Sequence, residues 1–153
     1  DGLTHCVNLG EWFVGPVDRV VADAAHQVLE GVEVEDTVHV LTRHGVVLGS
    51  YSLNQHQAPN EITFTVVCEN GTIRYHSHLD SWEWKMRPED PWETETFGPL
   101  DGDAVFTFQA RAFLDAIEQE GNPLCTLEEG IQTLRVNLAI LESVDSGNSL
   151  LKI

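Results

Sequence analysis

A chain of 153 residues is long enough for one domain and short for two, and folding at that size buries roughly 68–70% of the surface the unfolded chain exposes. Its hydrophobic fraction of 42% is that of a globular protein, and no apolar run approaches the roughly 18 residues a membrane span needs. A formal charge of −17 argues against nucleic acid or an anionic membrane as partner, because both call for basic patches.

The opening, DGLTHCVNLGEWFVG, has no initiator methionine, no cap ahead of Asp1 and no signal peptide. It reads as the inside of a helix whose beginning is missing, running from Leu3 to Val14 and ended by Gly15-Pro16. VDRVVADAA follows as a first strand. EDTVHVLTR and GVVLGSYSL are β-rich runs separated by the hairpin signal His44-Gly45. EITFTVVCE and TIRYHSHLD are separated by the stronger signal Asn70-Gly71. SWEWKMR is a further strand, with Trp82, Trp84 and Met86 on one face by the period of two. RPEDPWETETFGPLDGD, with three prolines and two glycines, reads as loop. A helix then starts near Asp103, with Phe106, Phe113 and Ile117 on its buried side and Gly121 past its end. In TLEEGIQTLRVNLAILESVDSG, Thr126 and Glu129 form a capping-box pattern, and Ile131, Leu134, Leu138, Leu141 and Val144 recur at helical spacing. Asp145-Ser146-Gly147 stops that helix, and SLLKI closes the chain as a strand.

Strands flanked by helices at both ends of the chain predict an α+β fold: a single domain with a largely antiparallel open sheet and helices packed on one face. If the open face is apolar it needs cover, from another domain or another subunit. Cys6, Cys68 and Cys125 are far apart and odd in number, which speaks against a disulfide framework, and no C-x-x-C points to zinc or redox work. Reduced thiols fit a cytoplasmic protein.

The first helix carries a polar stripe. At about 100° per residue, Asp1, His5, Asn8 and Trp12 fall within roughly 60° of one another. Asp1 and His5 are an i, i+4 pair, close enough for a carboxylate to fix the tautomer of an imidazole and stabilise its protonated form. Such a pair can serve as a general base. Read alone, D-x-x-x-H is equally a helix-start aspartate followed by a half-exposed histidine.

DGLTHCVNLGEWFVGPVDRVVA resembles the start of the C-terminal domain of the glucose–fructose oxidoreductase / inositol dehydrogenase family, whose pattern is D-x-x-x-H-x-x-D, an aromatic-aliphatic pair, a glycine and a strand. Asp1, His5, Trp12, Phe13 and Gly15 match; Asn8 stands where many members have aspartate. EDTVHVLTRHGVVLGSYSL, VVCENGTI, FQARAFLDAIEQEGNP and the final TLEEGIQTLRVNLAILESVDSGNSLLKI resemble later pieces of that domain in order. The resemblance implies that residues 1–153 are a substrate-binding and oligomerisation domain, and that the Rossmann domain that precedes it in this family is absent from the chain. It implies that His5 takes the proton of a sugar or polyol hydroxyl, that Asp1 orients His5, and that Asn8 and His56 contact substrate. NAD or NADP would serve the full-length protein. This chain has no G-x-G-x-x-G after a strand, so no cofactor is expected on the fragment, which would be inactive alone. The partners implied are that Rossmann domain, a small sugar or polyol, and a second copy of the chain through the sheet face.

Other candidates carry less. His76 and His78, two apart on a strand, would share one face, yet no carboxylate or cysteine pair accompanies them, so no metal is expected. Trp82, Trp84 and Trp92 suggest a packed face or an interface before carbohydrate stacking. Glu35-Asp36 cannot share a proton if adjacent strand residues point to opposite faces. A second functional reading is a non-catalytic binding or assembly module with the same fold.

Overall fold

The computed structural model describes residues 2–98, 102–118 and 123–153. Helix α1 (Gly2–Val14) is followed by strands β1 (Arg19–Ala25), β2 (Thr37–His44), β3 (Val47–Asn54), β4 (Thr63–Cys68), β5 (Gly71–His76), β6 (Ser81–Lys85) and β7 (Glu93–Thr96). Helices α2 (Gly102–Glu118) and α3 (Leu127–Asp145) and the short strand β8 (Leu151–Lys152) complete the chain. The α+β class read from the sequence holds, with every strand pair antiparallel. The strands form two four-stranded sheets, ordered β3-β2-β1-β8 and β4-β5-β6-β7. These lie in two compact units, one of residues 1–56 with 122–153 and one of residues 57–121.

The first unit holds the core. Cross-strand register puts Val20, Ala22, Val40, Thr42, Tyr51 and Leu53 on one face of its sheet. Leu3 and Val7 of α1 and Val136 and Ile140 of α3 close over that face, and Val7, Val20 and Val136 are fully buried. Each such side chain is worth roughly 1.5–3 kcal/mol of transfer free energy. The buried Ser143 of α3 is satisfied. Ser143 accepts from the Ala22 N–H at 3.0 Å and donates to the Ser149 carbonyl at 2.7 Å, which ties the helix to β1 and to the turn before β8. At the start of α3 the capping box is present, Thr126 Oγ1 accepting from the Glu129 N–H and Glu129 accepting from the Thr126 N–H. That backbone bond holds the Glu129 carboxyl below its usual range.

Two fixtures set the end of α1. Gly15, at φ +96, takes the left-handed turn that stops the helix, its N–H donating to the Glu11 carbonyl at 2.8 Å. The Gly15 carbonyl then accepts from His44 Nδ1 at 2.7 Å. Because that ring nitrogen must donate, Nε2 faces Thr42 Oγ1 at 3.0 Å and the Tyr51 hydroxyl at 3.4 Å. Burial pushes the Tyr51 phenol up, so it stays a neutral hydroxyl beneath the helix. Gly10 lies directly above it, and a Cβ at that position would collide with the Tyr51 oxygen. Gly10→Ala is therefore expected to lower stability by about 1–3 kcal/mol, the usual cost of overpacking. Alanine is intrinsically the better helix former by about 1 kcal/mol, so a measured gain in urea denaturation would refute this contact.

The second unit departs from the sequence reading at β7 and at α2, among other places. Glu93–Thr96 lies in the stretch taken as loop, yet it is the edge strand β7, paired with β6 through Trp82↔Glu95 and Trp84↔Glu93. Phe106, Phe113 and Ile117, expected on the buried side of α2, are 71%, 60% and 61% exposed. Their periodicity marks an apolar face without saying which surface covers it. Gly121, placed past the end of that helix, lies outside the described residues, as do residues 99–101 of the loop.

Candidate active site

The polar groups of the first unit converge where α1 and α3 run side by side. Residues 4, 8 and 11 of α1 form a ladder with residues 137, 133 and 132 of α3. Thr4 Oγ1 donates to Asn137 Oδ1 at 3.3 Å, and Asn8 Nδ2 donates to Thr133 Oγ1 at 3.2 Å. Glu11 is the hub: its Oε1 accepts from the Val17 N–H and from Gln132 Nε2, each at 3.1 Å, and its Oε2 accepts from Thr133 Oγ1 at 2.8 Å. Gln132 Nε2 also lies 2.9 Å from the Val17 carbonyl. Glu11 thus clamps α1, the segment leading into β1 and α3 together.

Above this ladder opens a cleft of about 450 Å³, lined by Asn8, Glu11, Trp12, Glu128, Gln132 and Thr133 among others. The lining includes the carboxylates of Glu11, Glu128 and Glu129 and, among the described residues, no lysine or arginine. A cleft of that sign opposes anionic ligands and leaves uncharged or cationic ones. Trp12 is 72% exposed and meets Phe13 edge-to-face at 4.8 Å, an apolar wall beside hydrogen-bonding groups. An apolar wall with a few convergent polar groups is the usual composition of a small-molecule site.

Asn8 lies in the cleft wall, half-buried. His5, one turn earlier on α1, is exposed and is not part of the wall. Asp1 lies outside the described residues. His56 is exposed after β3, its backbone N–H bonded to Asn54 Oδ1 at 2.8 Å, and among the described residues no hydrogen bond or ring contact joins it to α1. The structure keeps His5 and Asn8 on one helix and places His56 two residues past the end of β3. Sequence reasoning passed over Glu11, Gln132 and Thr133. Glu11 at three residues from Asn8 was the one local signal.

Other candidates resolve structurally. Asp36 is buried, and its carboxylate accepts from the Gln27, Val28 and Leu29 N–H groups and from Thr37 Oγ1 at 2.8–3.0 Å. These bonds, led by those from Val28 and Leu29, hold its carboxyl far below the usual range. His76 and His78 do not share a strand face, because the chain leaves β5 at His76 and enters a 3₁₀ turn at Ser77–Leu79. His76 Nε2 lies 3.4 Å from Glu83, and His78 Nδ1 lies 3.3 Å from the Ile62 carbonyl. Among the described residues no group of three or more histidine, cysteine, aspartate or glutamate side chains could hold a metal ion. The cysteines are free.

Comparison with known proteins supports the resemblance that the helix stripe suggested. Residues 1–74 match the GFO/IDH/MocA C-terminal domain. That is just under half of the chain, and it contains all of α1 with His5, Asn8 and Glu11. No curated protein matches the sequence. Over the whole chain the likeness is one of fold. The WlbA dehydrogenase of Bordetella pertussis, solved with NADH and UDP-GlcNAcA, superposes with a TM-score of 0.76 at 24% identity, over 100% of this chain and 44% of its own. An oxidoreductase of Agrobacterium radiobacter, solved with NAD+, L-tartaric acid and magnesium, gives 0.83 at 15% identity, over 99% and 48%. An inositol dehydrogenase homologue of Azotobacter vinelandii, solved with NADH and myo-inositol, gives 0.78 at 14% identity, over 98% and 48%. The chain spans about half the length of these structures. Among the described residues no helix is long and apolar enough to cross a membrane.

Proposed function

We propose that this chain is the substrate side of a nicotinamide-dependent sugar or polyol dehydrogenase. The observation that carries the reading is that His5 and Asn8 stand one turn apart on α1, with Asn8 in the wall of an acidic cleft. In the proposed reaction His5 accepts the proton of a substrate hydroxyl, while hydride leaves the carbon that bears it and a carbonyl forms. Hydride acceptance is the chemistry of the nicotinamide, held by a Rossmann domain that would precede residue 1. Asp1 orients His5 and balances its imidazolium. Asn8 hydrogen-bonds a second hydroxyl, and His56, in the segment after β3, is a further substrate contact. The cleft's carboxylates favour an uncharged substrate over a sugar acid. The test is steady-state kinetics on neutral polyols with the chain joined to its nicotinamide-binding domain; His5→Ala with near-normal turnover would overturn the assignment.

The same reading makes the protein a cytoplasmic homo-oligomer built on a sheet face. Support comes from the second unit, where Phe64, Val66, Ile73, Tyr75, Trp82 and Trp84 share one face by register. Ile73, Trp82, Trp84 and Met86 line an apolar groove there, and Met86 is 57% exposed. An apolar face of that kind seeks a partner, and a two-fold dimer is the simplest arrangement. Sedimentation should show a species of twice 17.0 kDa, and raised salt should preserve it, because screening relieves the repulsion between two highly acidic copies. A monomer at high micromolar concentration would refute the dimer.

A further inference from the structure

The hydrogen bonds joining Asn8, Thr133 and Glu11 have a polarity that chemistry fixes. An ionised carboxylate only accepts, so Thr133, 2.8 Å from Glu11 Oε2, must donate its single hydroxyl proton to it. Thr133 is 5% exposed and has no second proton to give. Toward Asn8, 3.2 Å away, its oxygen can therefore only accept, and the Asn8 amide must present its NH₂ inward. Asn8 Oδ1 has no hydrogen-bond partner among the described residues and remains an acceptor at the cleft wall. An aspartate at position 8 would set two carboxylates around one proton. The asparagine, where the related family often carries aspartate, is thus matched to Glu11 and Thr133.

We propose that Glu11 is a positioning residue: acting through Thr133, it locks the Asn8 amide so that position 8 offers an acceptor to a ligand hydroxyl. The part played toward a ligand rests on the dehydrogenase reading above; the lock itself does not. Replacing Glu11 by glutamine reverses the chain of donors. The glutamine oxygen still accepts from Val17 and Gln132, its NH₂ donates to Thr133, and the Thr133 hydroxyl turns to donate to residue 8. That reversed polarity suits an aspartate.

A double-mutant cycle on the 153-residue chain tests this by chemical unfolding at pH 7. Asn8→Asp alone should be destabilised, and adding Glu11→Gln should restore stability, with a coupling of about tenfold or more in the folding equilibrium constant. In a Thr133→Val background, which keeps the shape and removes the hydroxyl, that coupling should vanish. If Asn8→Asp is too unstable to measure at pH 7, folding of the double variant under the same conditions is the expected rescue. Additive effects, or a double variant less stable than either single one, would overturn the lock. A coupled cycle together with an unchanged KM for Asn8→Ala on a neutral polyol would keep the lock and overturn the part Asn8 plays toward a ligand.

Discussion

His5→Ala is expected to lower turnover by about 10²–10⁴-fold in the protein joined to its nicotinamide-binding domain, the usual worth of a positioned general base. Without His5 the hydroxyl proton would have to pass to water as hydride departs. Three controls follow from where His5 sits. It is exposed on α1 and lies outside the core, so the melting temperature should hardly move. Cofactor affinity should be nearly unchanged, because the proposed nicotinamide site lies on the other domain. KM should change less than kcat, since Asn8 and the rest of the cleft wall are untouched. Asp1→Asn should cost more in turnover than in binding, because the imidazolium loses its countercharge while the geometry survives. A His5→Ala protein that unfolds would show the histidine to be a packing residue.

The parts of the fold legible in the sequence are those set by local rules. Alternation and turn residues marked β1 to β6, and the Thr126–Glu129 capping box marked the start of α3. β7 was not legible, because Glu-Thr-Glu-Thr has no apolar alternation. Its strand is made by pairing with β6 and by the Trp82 indole N–H, which donates to Glu95 at 2.9 Å. Helix α3 shows a further limit. Leu134, Leu138 and Leu141 are each more than half exposed, while Val136 and Ile140 face the sheet. A helix apolar on two sides offers two stripes, and periodicity does not choose between them.

The site divides in the same way. The stripe of Asp1, His5, Asn8 and Trp12 was visible as a helical spacing. Among its described members, Asn8 and Trp12 line the cleft, Asn8 also bonding α3, while His5 is exposed outside the wall. The groups that hold Asn8 were out of reach, because Thr133 is 122 residues from Glu11 and 125 from Asn8. Nothing local distinguishes a threonine in the middle of α3 that holds a proton for another helix. Asp36 is a different case: the sequence argued against a proton shared with Glu35, but it did not reveal the partners that matter, the backbone N–H groups of the loop before it.

Asp36 also gives the largest expected effect on stability. Its carboxylate closes the loop between β1 and β2 by accepting three backbone N–H groups and the Thr37 hydroxyl, and its own carbonyl accepts from the Gln55 N–H at 2.9 Å. Asp36→Ala would leave those N–H groups without an acceptor, and Asp36→Asn would keep the shape but offer only one accepting oxygen. Both should lower the melting temperature at pH 7, Ala more than Asn. The pH dependence follows from the depressed carboxyl of the folded state. In the unfolded chain an aspartate protonates near about 3.9. Above that value both states are ionised and the stabilisation is fully present. Below it the unfolded state takes up a proton that the folded state refuses, so stability falls with pH, and the contribution is gone once pH passes the folded value. The difference in melting temperature between wild type and Asp36→Asn should therefore be largest at pH 6–7 and shrink steadily below about pH 4. Acid also relieves the mutual repulsion of the other carboxylates, which acts on both proteins and cancels in that difference. A gap that stays constant from pH 7 to pH 3 would mean that the ionised carboxylate does not hold the loop, and that shape alone closes it.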